Sequence, residues 1–388
     1  MGKSKKRYAS RFETAASRQF SNRINQGVKI GILTFHHASN YGAVLQTYAT
    51  CKQLKNLGYE PLVLDYRPVG LYEHYYKISW KRFGLVGQNF INLRLNPKFK
   101  CFRKRWLPVS EQCFKNNPEL LCIINTLDGV FYGSDQIWNP KLFGNTLDPA
   151  FWADDVSPGI RKVALSASFG GTDGLHEGYR EEVARLIRNF DMLSVREQQA
   201  ADLVCAITGV VPEVLMDPVF SVDSWDELLE PMPGYDCCVF QFVLQQNQDV
   251  ADSAKLLAEH YETRVVSGNS GIKRFGDPKE VVSPSVGQWL WLIKNAAHVV
   301  TNSFHATAFA TIFRKPITVV ELQAEMATRN QRITNLLGLG DLNDRIVKRL
   351  ESGALLEHHV RNPDYSIFER ALRTNRERFE SYIVRSLS

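Results

Sequence analysis

From residue 29 onward, short β-rich apolar runs and helical stretches take turns along the chain, and this rhythm limits the fold more than any single residue does. Residues 29–35 (KIGILTF) form the first run, residues 36–41 a turn, and a helix follows from Gly42 with Val44, Tyr48, Cys51, Leu54 and Leu57 at helical spacing until Gly58 ends it. The next strand is expected at 61–65. More strands are expected at 129–132, 163–166 and 191–195, with helices around 181–188 and from Glu197. Strands separated by helices lie parallel, with helices covering both faces of their sheet.

Past Pro218 the rhythm restarts. Strands are expected at 237–243, 263–267, 298–301 and 317–320, with helices at 250–261, 285–295 and 306–313 between them. A charged helix from Asp364 to about Arg385 closes the chain and is expected to pack back across the first unit. At roughly 150 residues per domain, a chain of 388 residues has room for two. The expected division is a basic tail at 1–27, an N-terminal α/β domain at 28–218 with a basic, aromatic insert at 71–108, a C-terminal α/β domain at 219–345 and a helical segment at 346–388. Two such units face each other across a cleft at the carboxyl ends of their strands, where open α/β sheets bind ligands.

Charge narrows the partners. The net +6 comes from two attachments on an acidic body: seven basic residues against Glu13 within 1–27, and nine basic residues with no acid within 77–105. The tail reads as a solvated segment. The second block interleaves Trp80, Phe83, Phe90, Phe99, Phe102 and Trp106 with its charges, which suits an anionic membrane surface and disfavours nucleic acid as partner. With 44% apolar and 23% charged residues, disorder and fibrous folds are excluded. Seven scattered cysteines without CxxC spacing indicate neither disulfides nor a metal site. No apolar run reaches membrane-spanning length and no secretory signal is visible, so a cytoplasmic protein is expected, peripheral at the inner face of the cell membrane.

Polar motifs cluster where strands end. The turn at His36, His37, Asn40, Tyr41 and Gly42 can receive an anion through backbone N–H groups and the helix N-terminus, or simply hold Asn40 as a cap. Ser134, Asp135, Gln136 and Trp138 have the mixture of an aromatic ring and hydrogen-bonding groups that suits a sugar, against a turn whose tryptophan covers the core. Ser168 and Phe169 lie in a second loop of this kind. Arg196 can grip a carboxylate or phosphate in a bidentate manner, or pair with Glu197 or another acid. In residues 301–307 (TNSFHAT), Asn302 or Ser303 is expected to cap a helix whose first turn carries His305 on the cleft side.

In this order the segments KIGILTFHHASNYGAVLQTYATCKQLKNLGYEPLVLDYRP, GVFYGSDQIWNP, VALSASFG, LSVRE, VLMDPVF, TNSFHATAFATIFRKP and RITNLLGLGDLNDR resemble the polysaccharide pyruvyl transferase family, from residue 29 to about 345. The resemblance implies two Rossmann-like domains in a GT-B-like arrangement. It also implies transfer of the three-carbon unit of phosphoenolpyruvate, a co-substrate, to a sugar as a cyclic ketal with loss of phosphate and without a further cofactor. The acceptor would be a sugar of a cell-surface polysaccharide or its lipid-linked precursor. His305 matches a histidine tied to catalysis. Some branches carry an arginine two residues earlier, where this chain has Ser303, so Arg196, Arg329 or Arg332 must supply that charge. Donor contacts are then expected from Arg196, Asn302, Ser303, Asn40, Tyr41, Gly42, Arg329 and Arg332, and acceptor contacts from His36, His37, Ser134, Asp135, Gln136, Trp138, Ser168 and Phe169. The alternatives are a GT-B-type glycosyltransferase with a nucleotide-sugar donor, and a non-catalytic protein that binds membrane surfaces.

Overall fold

The computed structural model describes residues 27–68, 86–171, 177–245, 247–268, 280–348 and 357–388. The basic tail through residue 26, and residues 77–85 of the second basic block, lie outside the described residues. Two parallel sheets are present. The first holds β1 (Lys29–Leu33), β2 (Glu60–Tyr66), β3 (Val109–Phe114), β4 (Gly129–Tyr132), β5 (Arg161–Ala167), β6 (Met192–Val195) and β7 (Glu213–Val214), in the order β3-β2-β1-β4-β5-β6-β7. The second holds β8 (Val239–Phe242), β9 (Val265–Gly268), β10 (Glu280–Val282), β11 (His298–Thr301), β12 (Ile317–Val320) and β13 (Ile346–Val347), in the order β10-β9-β8-β11-β12-β13. Each order reverses once, between β1 and β4 and between β8 and β11. The chain is therefore a mixed α/β molecule of two Rossmann-like units facing a cleft, as a GT-B-like fold requires.

Four strands are invisible in the sequence pattern for physical reasons. β7 and β13 have two residues each and β10 three, too few to show a period, and β3 (VSEQCF) is an exposed edge strand with no continuous apolar face. Because β13 pairs with β12 through Val319 and Val320, the second unit runs past the expected boundary at residue 345.

The helices are α1 (Tyr41–Asn56), α2 (Val86–Trp106), α3 (Asn117–Ile124), α4 (Arg180–Ile187), α5 (Gln198–Thr208), α6 (Gln248–His260), α7 (Val286–Asn295), α8 (Phe304–Ile312), α9 (Asn330–Gly338), α10 (Glu357–Val360) and α11 (Ser366–Leu387). α1 is buried on nearly every side because it packs on its own sheet and on the second unit together. Tyr41 stacks on Trp289 at 4.8 Å and 9° and donates its hydroxyl to the Pro284 carbonyl at 2.8 Å, while Gln53 donates to Ser221 O at 2.6 Å. One apolar core thus runs from Ile30 and Val44 through Tyr41 to Phe240 and Trp289 without a break between the units. Separate cores line the outer faces of the two sheets.

α11 returns to the first sheet, as the charged terminal segment predicts: Tyr382 donates to Ala164 O at 2.8 Å and Ser386 O accepts from Arg161 Nε at 2.7 Å. α2 corrects the reading of the basic, aromatic block. Phe99 and Phe102 are buried in the shared core, with Phe99 4.9 Å from the Tyr41 ring, so they do not reach a lipid surface. The outer face of α2 keeps Lys100, Lys104 and Arg105 exposed. Among the described residues no helix is long and apolar enough to cross a membrane.

Candidate functional site

The turn from β1 into α1 meets the turn from β11 into α8 at the cleft. They approach so closely that a Cβ built on Gly42 would fall 1.9 Å from Nδ1 of His305. Any side chain at position 42 would displace the imidazole, which explains glycine at the second position of a helix where alanine is intrinsically better.

His305 lies in the first turn of α8 with its side chain 15% exposed, and its Nε2 is 3.4 Å from Oδ2 of Asp217, which is wholly buried. Arg196 Nη1 donates to the same Oδ2 at 2.9 Å, and Val219 N donates to Oδ1 at 3.1 Å. Burial by itself would raise the Asp217 carboxyl, but His305, Arg196 and the Val219 amide outweigh it and bring the pKa down to about 2. Asp217 is therefore a carboxylate at every ordinary pH. Behind it, Ser134 Oγ donates to Ser166 O at 3.1 Å and lies 3.5 Å from Oδ2, while Ser134 N donates to Gln46 Oε1 at 3.2 Å.

A cavity of about 270 Å³ opens in front of His305. Asn40, Tyr41 and Gly42 line it from the first unit, with Asp135 and Gln136, and Asn302, Ser303, Arg329 and Arg332 line it from the second. Asn40 does cap α1, accepting from Ala43 N at 3.3 Å. Tyr41 faces the cavity from a buried position, and burial pushes its phenol far up, so it serves as a wall and a hydrogen-bond donor rather than as an acid. The expected cap on α8 is absent. Ser303 makes no side-chain cap, and the Asn302 carboxamide braces the loop after β8 instead, accepting from Leu244 N at 2.7 Å and donating to Gln245 O at 2.7 Å. The first turn of α8 is thus left facing the cavity without a side-chain cap. Burial and the neighbouring Arg196 bring the Arg332 guanidinium down to about 10, still a cation at neutral pH.

Several sequence assignments are corrected by burial. Arg196 does not line this cavity: its Nε donates to Glu197 at 2.9 Å and its Nη1 to Asp217, so its charge holds carboxylates in place and is not offered to a ligand in front of His305. The cations that face the cavity are Arg329 and Arg332, the other two arginines expected to supply the charge. His36 and His37 are 1% exposed and belong to the interior. His36 Nε2 is 3.1 Å from Asp65, and burial with the adjacent His36 keeps His37 far below the usual histidine range. Trp138 cannot stack on a sugar, because it stacks on Trp152 at 4.9 Å and 10° and donates its indole N–H to Phe151 O at 3.0 Å inside the core. Ser168 is also buried, donating to Glu197 at 3.1 Å. Phe169 lies on a second cavity, of about 770 Å³, that shares Arg332 with the first and is also lined by Gly170, Gly171, Thr328 and Lys348. Asp217 was not singled out from the sequence. Its only signal is its place before Pro218 in VLMDPVF, just after the last short strand of the first sheet.

A family model described as polysaccharide pyruvyl transferase matches residues 40–323, which include Asn40 to Gly42, the turn into α8, Asp217 and His305. The chain belongs to the polysaccharide pyruvyl transferase family. A comparison with curated proteins gives no match. Among solved structures the chain is similar to UDP-GlcNAc 2-epimerase from Neisseria meningitidis bound to UDP-GlcNAc, at 9% identity over 92% of this chain and 99% of that one, with a TM-score of 0.45. It is similar as well to the Methanocaldococcus jannaschii UDP-GlcNAc 2-epimerase in complex with UDP-GlcNAc and UDP, at 12% identity over 89% and 98%, TM-score 0.45. The glycosyltransferase SnogD from Streptomyces nogalater matches at 12% identity over 94% and 100%, TM-score 0.42. In this polysaccharide pyruvyl transferase family member, Ser303 is nearly buried beside His305, and Arg329, just before α9, and Arg332, in its first turn, bring positive charge to the same cavity.

Proposed function

We propose that this chain transfers the three-carbon unit of phosphoenolpyruvate to a sugar of a polysaccharide or its precursor, as a cyclic ketal, with release of phosphate. The observation that carries the reading is the placement of His305, backed by the Asp217 carboxylate, on a small cavity faced by two arginines. A ligand with a carboxylate and a phosphate on three carbons needs concentrated positive charge in little space, and a cavity of about 270 Å³ is at the lower end of ligand sites. Arg329, Arg332 and the uncapped first turn of α8 hold the two anionic groups.

Asp217 Oδ2, 3.4 Å from Nε2 of His305, favours a proton on that nitrogen by its charge, which leaves Nδ1, beside Gly42, as the reactive nitrogen. Nδ1–H protonates the methylene carbon, and the positive charge that develops at the central carbon is met by a sugar hydroxyl, whose proton returns to Nδ1. A second hydroxyl then adds as phosphate departs with the C–O bonding pair and takes up that hydroxyl's proton, closing the ketal. The adjoining cavity of about 770 Å³ has the size for a sugar acceptor, with Arg332 lining both it and the donor site. Exposed Lys100, Lys104 and Arg105 on α2 support attraction of the protein to an anionic membrane surface, measurable as salt-sensitive binding to anionic vesicles.

The test is phosphate release from phosphoenolpyruvate against a panel of nucleotide-linked and lipid-linked sugars, with thermal stabilisation by phosphoenolpyruvate as the binding readout. Acceptor-dependent phosphate release supports the reading. Stabilisation by a nucleoside diphosphate sugar, with none by phosphoenolpyruvate, overturns it in favour of glycosyl transfer.

A further inference from the structure

A third cavity, of about 920 Å³, lies where the ends of β6 and β7 meet α9 and α11. It shares Phe304 and Arg332 with the cavity in front of His305 but is not lined by Asn40, Gly42 or His305. Its walls combine apolar and cationic groups. Val214, Met216, Phe220, Leu336 and Leu339 supply the apolar part, with Leu339 43% exposed.

Three nitrogen donors on residues of this wall are buried without any hydrogen-bond partner: Arg196 Nη2, Arg332 Nε and Asn375 Nδ2. Arg196 and Asn375 are 7% and 5% exposed, so solvent does not reach them freely. The rest of each group is engaged. Arg196 uses Nε on Glu197 and Nη1 on Asp217, and Asn375 uses Oδ1 to accept from Met216 N at 3.1 Å. Arg378 on the same wall donates Nη2 to Val214 O at 3.1 Å. The carboxylates lining the cavity, Glu197 and Asp217, are both bonded to Arg196, so three guanidinium groups face two already committed acids. Three buried donors left unpaired around one space call for a ligand rich in acceptors. The charge balance selects an anion, and the apolar walls select an anion carried on an apolar body.

We propose that this cavity is a second ligand site, distinct from the one in front of His305, for an organic phosphate or carboxylate with an apolar substituent. Arg196 Nη2 and Asn375 Nδ2 hold the anionic oxygens, and Phe220, Leu336 and Leu339 cover the apolar part. The inference does not depend on the reaction assigned to His305.

The full chain is titrated with phenyl phosphate and with inorganic phosphate, following thermal stability and heat of binding. Asn375→Asp is the central variant, since it keeps the acceptor for Met216 N and replaces the free donor by a carboxylate oxygen that repels an anion. Leu339→Asp, at an exposed position, tests the same wall without burying a charge, and Arg329→Ala alters only the cavity in front of His305. Phenyl phosphate should bind more tightly than inorganic phosphate, and both Asn375→Asp and Leu339→Asp should weaken it about tenfold or more, while Arg329→Ala leaves it unchanged. Binding lost in Arg329→Ala but intact in the other two variants overturns the proposal, because the anion then sits only in front of His305. Absence of binding by both probes in the wild type overturns it as well, leaving the cavity to water. If phenyl phosphate follows the expected pattern while phosphoenolpyruvate fails to bind, the proposed reaction falls and this site stands.

Discussion

Of the Arg–Asp–His groupings among the described residues, the two behind the turns of the cleft differ in access more than in chemistry. In the first, Arg67 grips Asp65 through Nε and Nη2 at 2.7 and 2.8 Å, and His36 lies 3.1 Å from the same carboxylate. In the second, Arg196 grips Asp217 at 2.9 Å and His305 lies 3.4 Å away. Both carboxylates are driven down by their cationic neighbours despite burial. His36, however, is 1% exposed and also has Thr34 O 3.2 Å from Nδ1, so both of its nitrogens are occupied. His305 has Nε2 3.4 Å from Asp217 and Nδ1 beside Gly42 at the edge of a cavity. The comparison teaches that a histidine braced by an ionised aspartate is a structural tie when both ring nitrogens are used, and a reactive group when one is left over.

Replacing each histidine gives the largest contrast. His305→Ala should lower turnover by about 10²-fold or more, with a smaller loss of stability because Asp217 keeps Arg196 and the Val219 amide. His36→Ala should do the reverse, with a loss of stability of about 1–3 kcal/mol because Asp65 keeps only Arg67, and with turnover retained in the folded fraction. Denaturant titration alongside steady-state rates checks both, and equal losses of activity in the two variants would break the comparison.

Gly42→Ala comes next in size. Its added methyl group requires His305 to swing away, so turnover should fall about tenfold or more although alanine is the better helix former. Unchanged rates would mean that Nδ1 is not the reactive nitrogen.

Asp217 should leave a signature in acid. Its pKa is about 2 in the folded chain against 3.8 for an ordinary aspartate, so the native state binds fewer protons than the unfolded state between those values. The stabilisation is complete above pH 3.8 and is lost as pH falls through 2, amounting to about 2 kcal/mol. Unfolding free energies measured across this window should fall with acid in the wild type. Asp217→Asn should flatten that slope, lower stability at neutral pH because Arg196 keeps only Glu197 as counter-charge, and shift the pH dependence of turnover. The smallest effect is expected from Ser134→Ala. Its 3.5 Å approach to Asp217 is long, so the variant should lose about 1 kcal/mol with little change in rate, and a large loss of turnover would show that the serine, too, orients the carboxylate.

Much of this is legible in the sequence. The alternation of apolar runs with helical spacing gave both parallel sheets and the returning C-terminal helix, and the TNSFHAT segment pointed to His305 because a strand end leads there into a helix start. Burial was not legible. His36, Trp138 and Phe99 carry the same side chains whether they meet a ligand, a lipid or the core, and only long-range packing by Asp65, Trp152 and Tyr41 decides among these fates. Arg196 shows the same limit: its neighbour Glu197 is visible in sequence, but Asp217, twenty-one residues further on, is brought to it only by the fold. Short strands such as β7 and β13 escape detection because hydrogen bonding to a longer neighbour, not their own composition, makes them strands.

The stack of Tyr41 on Trp289, with the Tyr41 hydroxyl on Pro284, bears on how ligands come and go. A cleft between two domains commonly opens by a hinge, on the slow timescale of whole-domain motion. Here a hinge would have to pull one continuous apolar core apart and unstack two aromatic rings at its centre. The aperture in front of His305 is therefore fixed by the backbone, and passage through it is governed by rotation of single side chains such as those of Arg329 and Gln136, which is faster by orders of magnitude. Viscous solvents, which slow large domain movements, should then leave the rate of this protein nearly untouched.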